Sequence, residues 1–257
     1  MIIFEGADLV PALSYGLGLF GFGVLTGQLL WRWRGGLHAA ALLIAVVAST
    51  FWELTGLVFC LLPGYWTWIL HQVVDAARVS SWLGFAASLL LSDSRRQYAQ
   101  GRLMSLSVVL PLAGTVILVL CWLFLPLPPP ALRFAQTAGG SAGLGVGLVV
   151  SILGLLATEQ LFRNTAESSR WAIKPLCLGL GGAFGFYLFL YSDGLLFHRL
   201  DHGIWAARGI AQALTIPFIM VSAARNRQWT IDIAISRKAV LHSTSVLLSG
   251  LYLLVIA

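Results

Sequence analysis

His71, Asp75 and Arg78 lie at i, i+4 and i+7 within one long apolar run. That spacing puts all three on one face of a helix, where Asp75 can pair with Arg78 and accept a hydrogen bond from His71. An imidazole, a carboxylate and a guanidinium so arranged could form a fixed ion pair, bind or pass a proton, or line a path for a charged solute. Charge buried in hydrocarbon is expensive and is tolerated where it faces protein or water. Three readings follow: a structural ion pair that sets the register of a bundle, a sensing or proton-responsive polar pocket, and a transport pathway. Glu53, in the preceding apolar run, is expected at a similar depth because the two runs are joined by a tight turn at Pro63-Gly64.

A second polar group follows the sixth apolar run. His198, Asp201 and His202 spell H-x-x-D-H, with Asp193 shortly before them. Two imidazoles at i, i+4 and a carboxylate could ligate zinc on a helix. The stretch is short and lacks the H-E-x-x-H base, so it reads as a solvated interfacial loop able to make polar or ligand contacts, and no metal site is assigned. Arg208, near the outer end of the seventh run, is expected to pair with Asp193 or to snorkel toward the interface. Gly16, Gly18 and Gly21 spell G-x-G-x-x-G, but a dinucleotide loop needs a strand before it and an amphipathic helix after it. Inside an apolar run these glycines instead serve close helix packing, as do Gly139, Gly143 and Gly147, and Gly181 with Gly185. Cys60, Cys121 and Cys177 sit within or at the edges of apolar runs, where small buried filler is the expected role.

The elements that must carry these residues are set by composition. Of the 257 residues 58% are hydrophobic and 10% charged, with a mean hydropathy of +0.86, far more apolar material than a soluble core uses. Measured against the roughly 20 residues a helix needs to cross a bilayer, the apolar runs number eight: about 10–31, 37–62, 65–91, 103–127, 137–161, 172–192, 203–224 and 239–257. The expected fold is an all-α polytopic transmembrane bundle forming one domain. The first run is too long and too glycine-rich for a signal peptide and lacks a basic n-region. The longest polar connections, 92–102, 162–174 and 225–238, leave no room for a soluble domain.

Orientation follows from the basic residues. Arg32, Arg34, Arg95, Arg96, Arg102, Arg163, Arg170, Lys174, Arg225, Arg227, Arg237 and Lys238 all fall on one side, against Arg133 and Arg199 on the other. The positive-inside rule then places the N-terminus outside. The formal charge of +6 is concentrated at span ends on that inner side, where it suits anionic lipid headgroups rather than nucleic acid. The lipid bilayer is therefore the first expected partner.

Inner segments carry a resemblance to a known family. Ala157-Thr158-Glu159-Gln160-Leu161-Phe162-Arg163-Asn164-Thr165 and Arg170-Trp171-Ala172-Ile173-Lys174-Pro175-Leu176-Cys177-Leu178-Gly179 are similar to the membrane region of the PEP-CTERM system sensor histidine kinases, the PrsK family. So are Leu188-Phe189-Leu190-Tyr191-Ser192-Asp193, Trp205-Ala206-Ala207-Arg208-Gly209, and Ala223-Ala224-Arg225-Asn226-Arg227-Gln228-Trp229 followed by Asp232, Ser236 and Arg237. The likeness covers roughly 155–240; before that it rests on the arrangement of spans. It implies a bacterial inner-membrane, multi-pass region that precedes a GAF-like domain and a two-component kinase core, linked to exopolysaccharide production and exosortase sorting. It also implies a homodimer, a response-regulator partner, and inner-face coupling through Glu159, Arg163 and Arg225.

The chain departs from the family pattern by stopping at Ala257 without phosphoacceptor hairpin or ATP-binding boxes. Residues 1–257 are thus expected to be a sensory or anchoring domain without catalytic residues or cofactor of its own. ATP and magnesium belong to a kinase core expected downstream, reached through one further span. The runner-up is a stand-alone transporter or channel-like protein, against which no inverted repeat is evident, although Pro217 and Pro111 are candidate kinks. A membrane-embedded enzyme ranks third.

The charge asymmetry generates a topology test. In a cysteine-free background, Gln136→Cys should react with an impermeant thiol reagent in intact spheroplasts and Ser94→Cys should not. The reverse pattern would mean the opposite orientation.

Overall fold

The computed structural model describes residues 9–31, 36–90, 138–197 and 199–226. Among them there is no β-strand. Eight helical segments follow in chain order: α1 (Leu9–Trp31), α2 (Leu37–Leu61), α3 (Tyr65–Leu90), α4 (Ala138–Asn164), α5 (Glu167–Leu196), α6 (His202–Ala206), α7 (Arg208–Ala213) and α8 (Thr215–Arg225). Five of them, α1 to α5, are long and apolar enough to cross a membrane, the pattern of a multi-pass membrane protein. The expected runs at 103–127 and 239–257 lie outside the described residues.

Two expectations change on contact with the structure. The segment 162–174 is not a polar connection: α4 and α5 extend through it and leave Thr165 and Ala166 between them. The extension is made of polar helical turns, with Arg163 paired to Glu159 one turn earlier at 2.9 Å. The seventh apolar run is not one helix but α6, α7 and α8 in series, interrupted at Ala207 and Leu214. Pro217 explains the second interruption. It has no N–H for the carbonyl of Ala213 and its ring crowds that carbonyl, so α7 stops at Ala213. The Thr215 hydroxyl then donates to the carbonyl of Gln212 at 2.7 Å.

The bundle packs mainly as α1 on α2, α2 on α3, α4 on α5, α5 on α8 and α1 on α7, with α3 also meeting α4. Gly36 opens α2 at a φ of 107°, a left-handed conformation that glycine adopts without steric cost. Toward the far end of α3 from that of the Pro63-Gly64 turn lies an apolar core. It contains Phe22 and Leu25 of α1, Leu42 and Val46 of α2, Phe85 and Leu89 of α3, Leu176 and Leu180 of α5, and Ile219 of α8. A second cluster runs along one seam of α4, at Leu144, Leu148, Ile152 and Leu156, against Leu195 of α5. Large apolar side chains point away from the bundle along α1, at Leu13, Leu17, Phe20 and Val24, as suits a surface that meets hydrocarbon.

Apolar contact between helices gives little selectivity in lipid, so polar rungs and small residues fix the pairing. Trp82 of α3 donates from its indole to the Ser49 hydroxyl of α2 at 3.0 Å, and Thr26 of α1 bonds Thr50 of α2 at 2.9 Å. Where α1 crosses α7, a Cβ built at Gly209 would stand 2.7 Å from the backbone carbon of Ser14. The amide of Ile210 beside it donates to the Ser14 hydroxyl at 2.9 Å. Gly209→Ala should therefore force the helices apart and cost about 1–3 kcal/mol. Gly16→Ala, which meets nothing within 4 Å, should be neutral or mildly stabilising through helix propensity. Thermal unfolding in detergent separates the two signs; equal effects would mean that α1 and α7 do not cross there.

Candidate functional site

Nearer the Pro63-Gly64 turn the core stops being apolar. The site is assembled from helical periodicity: α3 presents His71, Asp75 and Arg78 on one face, and α2 presents Trp52, Glu53 and Thr55. Tyr15 comes from α1, Tyr187 and Tyr191 from α5, Trp205 from α6, and Arg208 and Gln212 from α7. Glu53 and Arg208 are completely buried, and His71, Arg78 and Gln212 nearly so.

Asp75 is the centre of the arrangement. Its Oδ1 accepts from Arg78 Nε at 3.0 Å and from Arg78 Nη2 at 2.6 Å. Its Oδ2 accepts from Arg208 Nη2 at 2.6 Å. The remaining Arg78 nitrogen, Nη1, donates to Gln212 Oε1 at 3.0 Å. Both guanidinium groups rest on aromatic faces. Arg78 lies 4.4 Å from the Trp52 ring and 5.0 Å from Tyr187; Arg208 lies 5.1 Å from Trp52 and 4.2 Å from Trp205. Removed from water, each cation thus keeps a carboxylate and π-faces as partial replacements.

The expected pairing is corrected at two points. Arg208 neither pairs with Asp193 nor snorkels: it reaches inward to Asp75, because α7 packs against α1 and buries the face that carries Arg208, Gly209 and Gln212. His71 does not donate to Asp75. Its Nδ1 bonds Thr55 Oγ1 at 3.1 Å, and its ring is held between Trp52, stacked at 5.4 Å, and the edge of Tyr15 at 5.6 Å. Glu53 stands on the face of α2 that abuts α1 at Gly18.

The outer group is not drawn into this site. Asp201 caps α6, its Oδ1 accepting from the amides of Gly203 at 2.8 Å and Ile204 at 3.0 Å, an ordinary N-cap role. Asp193 lies near the end of α5, and its carbonyl accepts the amide of Phe197 at 3.0 Å. His198 and the side chain of His202 lie outside the described residues. No set of three metal-ligating side chains occurs among the described residues.

On the residues expected at the inner face the geometry is specific. Pro175 sits inside α5 and removes the N–H that the carbonyl of Trp171 would have accepted. Arg225, in the last turn of α8, donates to that carbonyl from Nη1 at 3.1 Å and lies 4.6 Å from the Trp171 ring. Ser222 donates to the neighbouring carbonyl of Ala172 at 2.9 Å. A missing hydrogen bond in one helix is thereby the attachment point of another. Glu159 and Arg163 pair with each other within α4 and are partly exposed, so this pair contributes little to stability.

Comparison with protein-family models, with curated proteins and with solved structures finds no match. Function therefore rests on the geometry just described. Sequence reasoning missed Tyr15, Trp52, Tyr187, Trp205 and Gln212. Gln212 carried a signal, an amide one turn from Arg208 in an otherwise apolar run, and Ser14-Tyr15 is a comparable polar interruption in the first.

Because one carboxylate serves two buried cations, removing it strands both. Asp75→Asn should cost about 3–5 kcal/mol, measured by thermal unfolding in detergent. Adding Arg208→Gln to Asp75→Asn should restore part of the loss, with a coupling energy of at least about 0.5 kcal/mol. Strictly additive effects would show that the bridge is absent.

Proposed function

We propose that this bundle is the membrane sensory or anchoring region of a bacterial inner-membrane sensor histidine kinase of the PEP-CTERM type. In this reading it has eight spans and an external N-terminus, works as a homodimer, and passes its state to a downstream kinase core that serves a response regulator. The supporting observation is the way the run 202–226 is held at both ends. Near the Pro63-Gly64 end it is anchored by Arg208 on Asp75; at the other it is anchored by Arg225 and Ser222 on the carbonyls around Pro175. A displacement at the buried charges would thus be carried along α7 and α8 to the basic segment 225–238, on the face where a cytoplasmic domain would dock. Signalling of this kind needs two packing states whose balance an input can bias, and an ion bridge in hydrocarbon supplies a discrete contact to bias. The resemblance of Glu159–Gly179 and Ala223–Arg237 to the family adds the identity of the output.

A second reading, a stand-alone transporter or channel-like protein, is favoured by one observation: the seventh run is broken into three short helices beside a buried arginine, as binding sites of transporters often are.

Purified residues 1–257 should neither hydrolyse ATP nor accept phosphate from it, whereas the intact gene product should autophosphorylate on a histidine beyond Ala257. Arg225→Gln should change that autophosphorylation about fivefold or more, the size of an ordinary coupling energy, while membrane insertion and expression stay normal. Substrate flux through reconstituted 1–257, or an intact product without a kinase core, would favour the transporter.

A further inference from the structure

Glu53 is the one buried carboxylate among the described residues that nothing in the bundle serves. Its side chain has no exposure, and neither Oε1 nor Oε2 has a hydrogen-bond partner among the described residues. The carboxyl occupies the space directly over Gly18, where any Cβ would collide with it, so α1 has no side chain at that position to donate to it. The charged and titratable groups that act on it are Tyr15 of α1, Asp75 and Arg78 of α3, Tyr187 of α5 and Arg208 of α7; His71 of α3 stacks on the neighbouring Trp52, and Tyr191 of α5 faces the same arginines. Neither arginine donates to it. Arg78 uses Nε and Nη2 on Asp75 and Nη1 on Gln212, and Arg208 uses Nη2 on Asp75.

Two opposing forces act on this carboxyl. Without it, two guanidinium groups face one carboxylate, leaving an excess of one positive charge that an ionised Glu53 would cancel. Against that, an ionised carboxylate without water or a donor loses its hydration and gains no hydrogen bond in return. The same layer holds other buried polar atoms without partners among the described residues: His71 Nε2, Trp52 Nε1, Tyr187 Oη, and Arg208 Nε and Nη1. Such positions are where ordered water is found in protein interiors, and water is the carrier a proton needs to reach a group at this depth.

We propose that Glu53 is a reversible proton-binding site within the bundle. On uptake a proton from bulk water, relayed through those polar positions, forms an O–H bond at one carboxylate oxygen, and the charge of the buried set rises from zero to plus one. On release the O–H bond breaks, the proton returns to bulk water by the same positions, the carboxylate re-forms and neutrality is restored. Proton binding at Glu53 does not depend on whether a kinase follows the bundle.

The test is infrared spectroscopy of the full chain in lipid nanodiscs, with its four glutamates, Glu5, Glu53, Glu159 and Glu167, carrying a ¹³C label in the side-chain carboxyl. A protonated carboxylic C=O band should appear, shift in D₂O and with the label, and lose amplitude as the pH is raised from about 5 to about 9. Glu53→Gln should abolish it. Should that variant fail to fold, a chain with Glu5, Glu159 and Glu167 all changed to Gln, keeping Glu53 as its sole glutamate, should retain the titrating band. A band missing at every pH would overturn the proposal, since Glu53 would then be permanently ionised. A label-sensitive band of constant amplitude would also overturn it, as the mark of a permanently protonated structural acid.

Discussion

A carboxylate in hydrocarbon that must hold two guanidinium groups constrains everything near it. Asp75 has both oxygens engaged, one by Arg78 of its own helix and the other by Arg208, 133 residues later in the chain. Neither arginine can leave without exposing a charge to an environment that cannot solvate it, so α3 and α7 are tied at a fixed depth. The aromatic walls follow from the same need. Trp52 and Tyr187 each face both guanidinium groups, and Trp205 faces Arg208, giving the cations π-surface where water is excluded. The close crossing at Gly209 follows as well. To bring Arg208 to Asp75, α7 lies tight against α1, and a residue without a side chain at 209 lets the backbones meet.

How much of this could be read beforehand depended on the range of the interaction. The helices α1, α2 and α3 begin and end within a residue or two of the apolar runs, because span length is set by hydropathy over a local window. The pairing of Asp75 with Arg78 was equally legible, since i, i+3 geometry is fixed by the helix itself. Arg208 was misplaced for the opposite reason. Its nearest acidic neighbour in sequence is Asp201, which is spent capping α6, and no local pattern says that a charge near a span end turns inward. The aromatic and amide partners, Tyr187 and Gln212, became visible only when three separate helices converged. In sequence the polar turns of α4 and α5 look like a connection between spans, because charge marks where hydrocarbon ends but not where a helix does.

The two prolines of the described α5 and α8 have opposite consequences for the same run. Pro217 stands in the first turn of α8, where its missing N–H interrupts the helix and lets α7 take its own direction toward Asp75. Pro175 stands inside α5, the carbonyl of Trp171 that it leaves is met by Arg225 from the far end of α8, and Ser222 meets the carbonyl of Ala172 beside it. One proline gives the run a joint and the other gives it a socket. A helix pinned at both ends and jointed between them can change its angle without losing either contact. Straight, uninterrupted helices held by apolar packing alone would lack both features, because in lipid such packing has neighbouring registers of nearly equal energy. The polar and proline residues that interrupt these spans are therefore what give the bundle a defined geometry to shift.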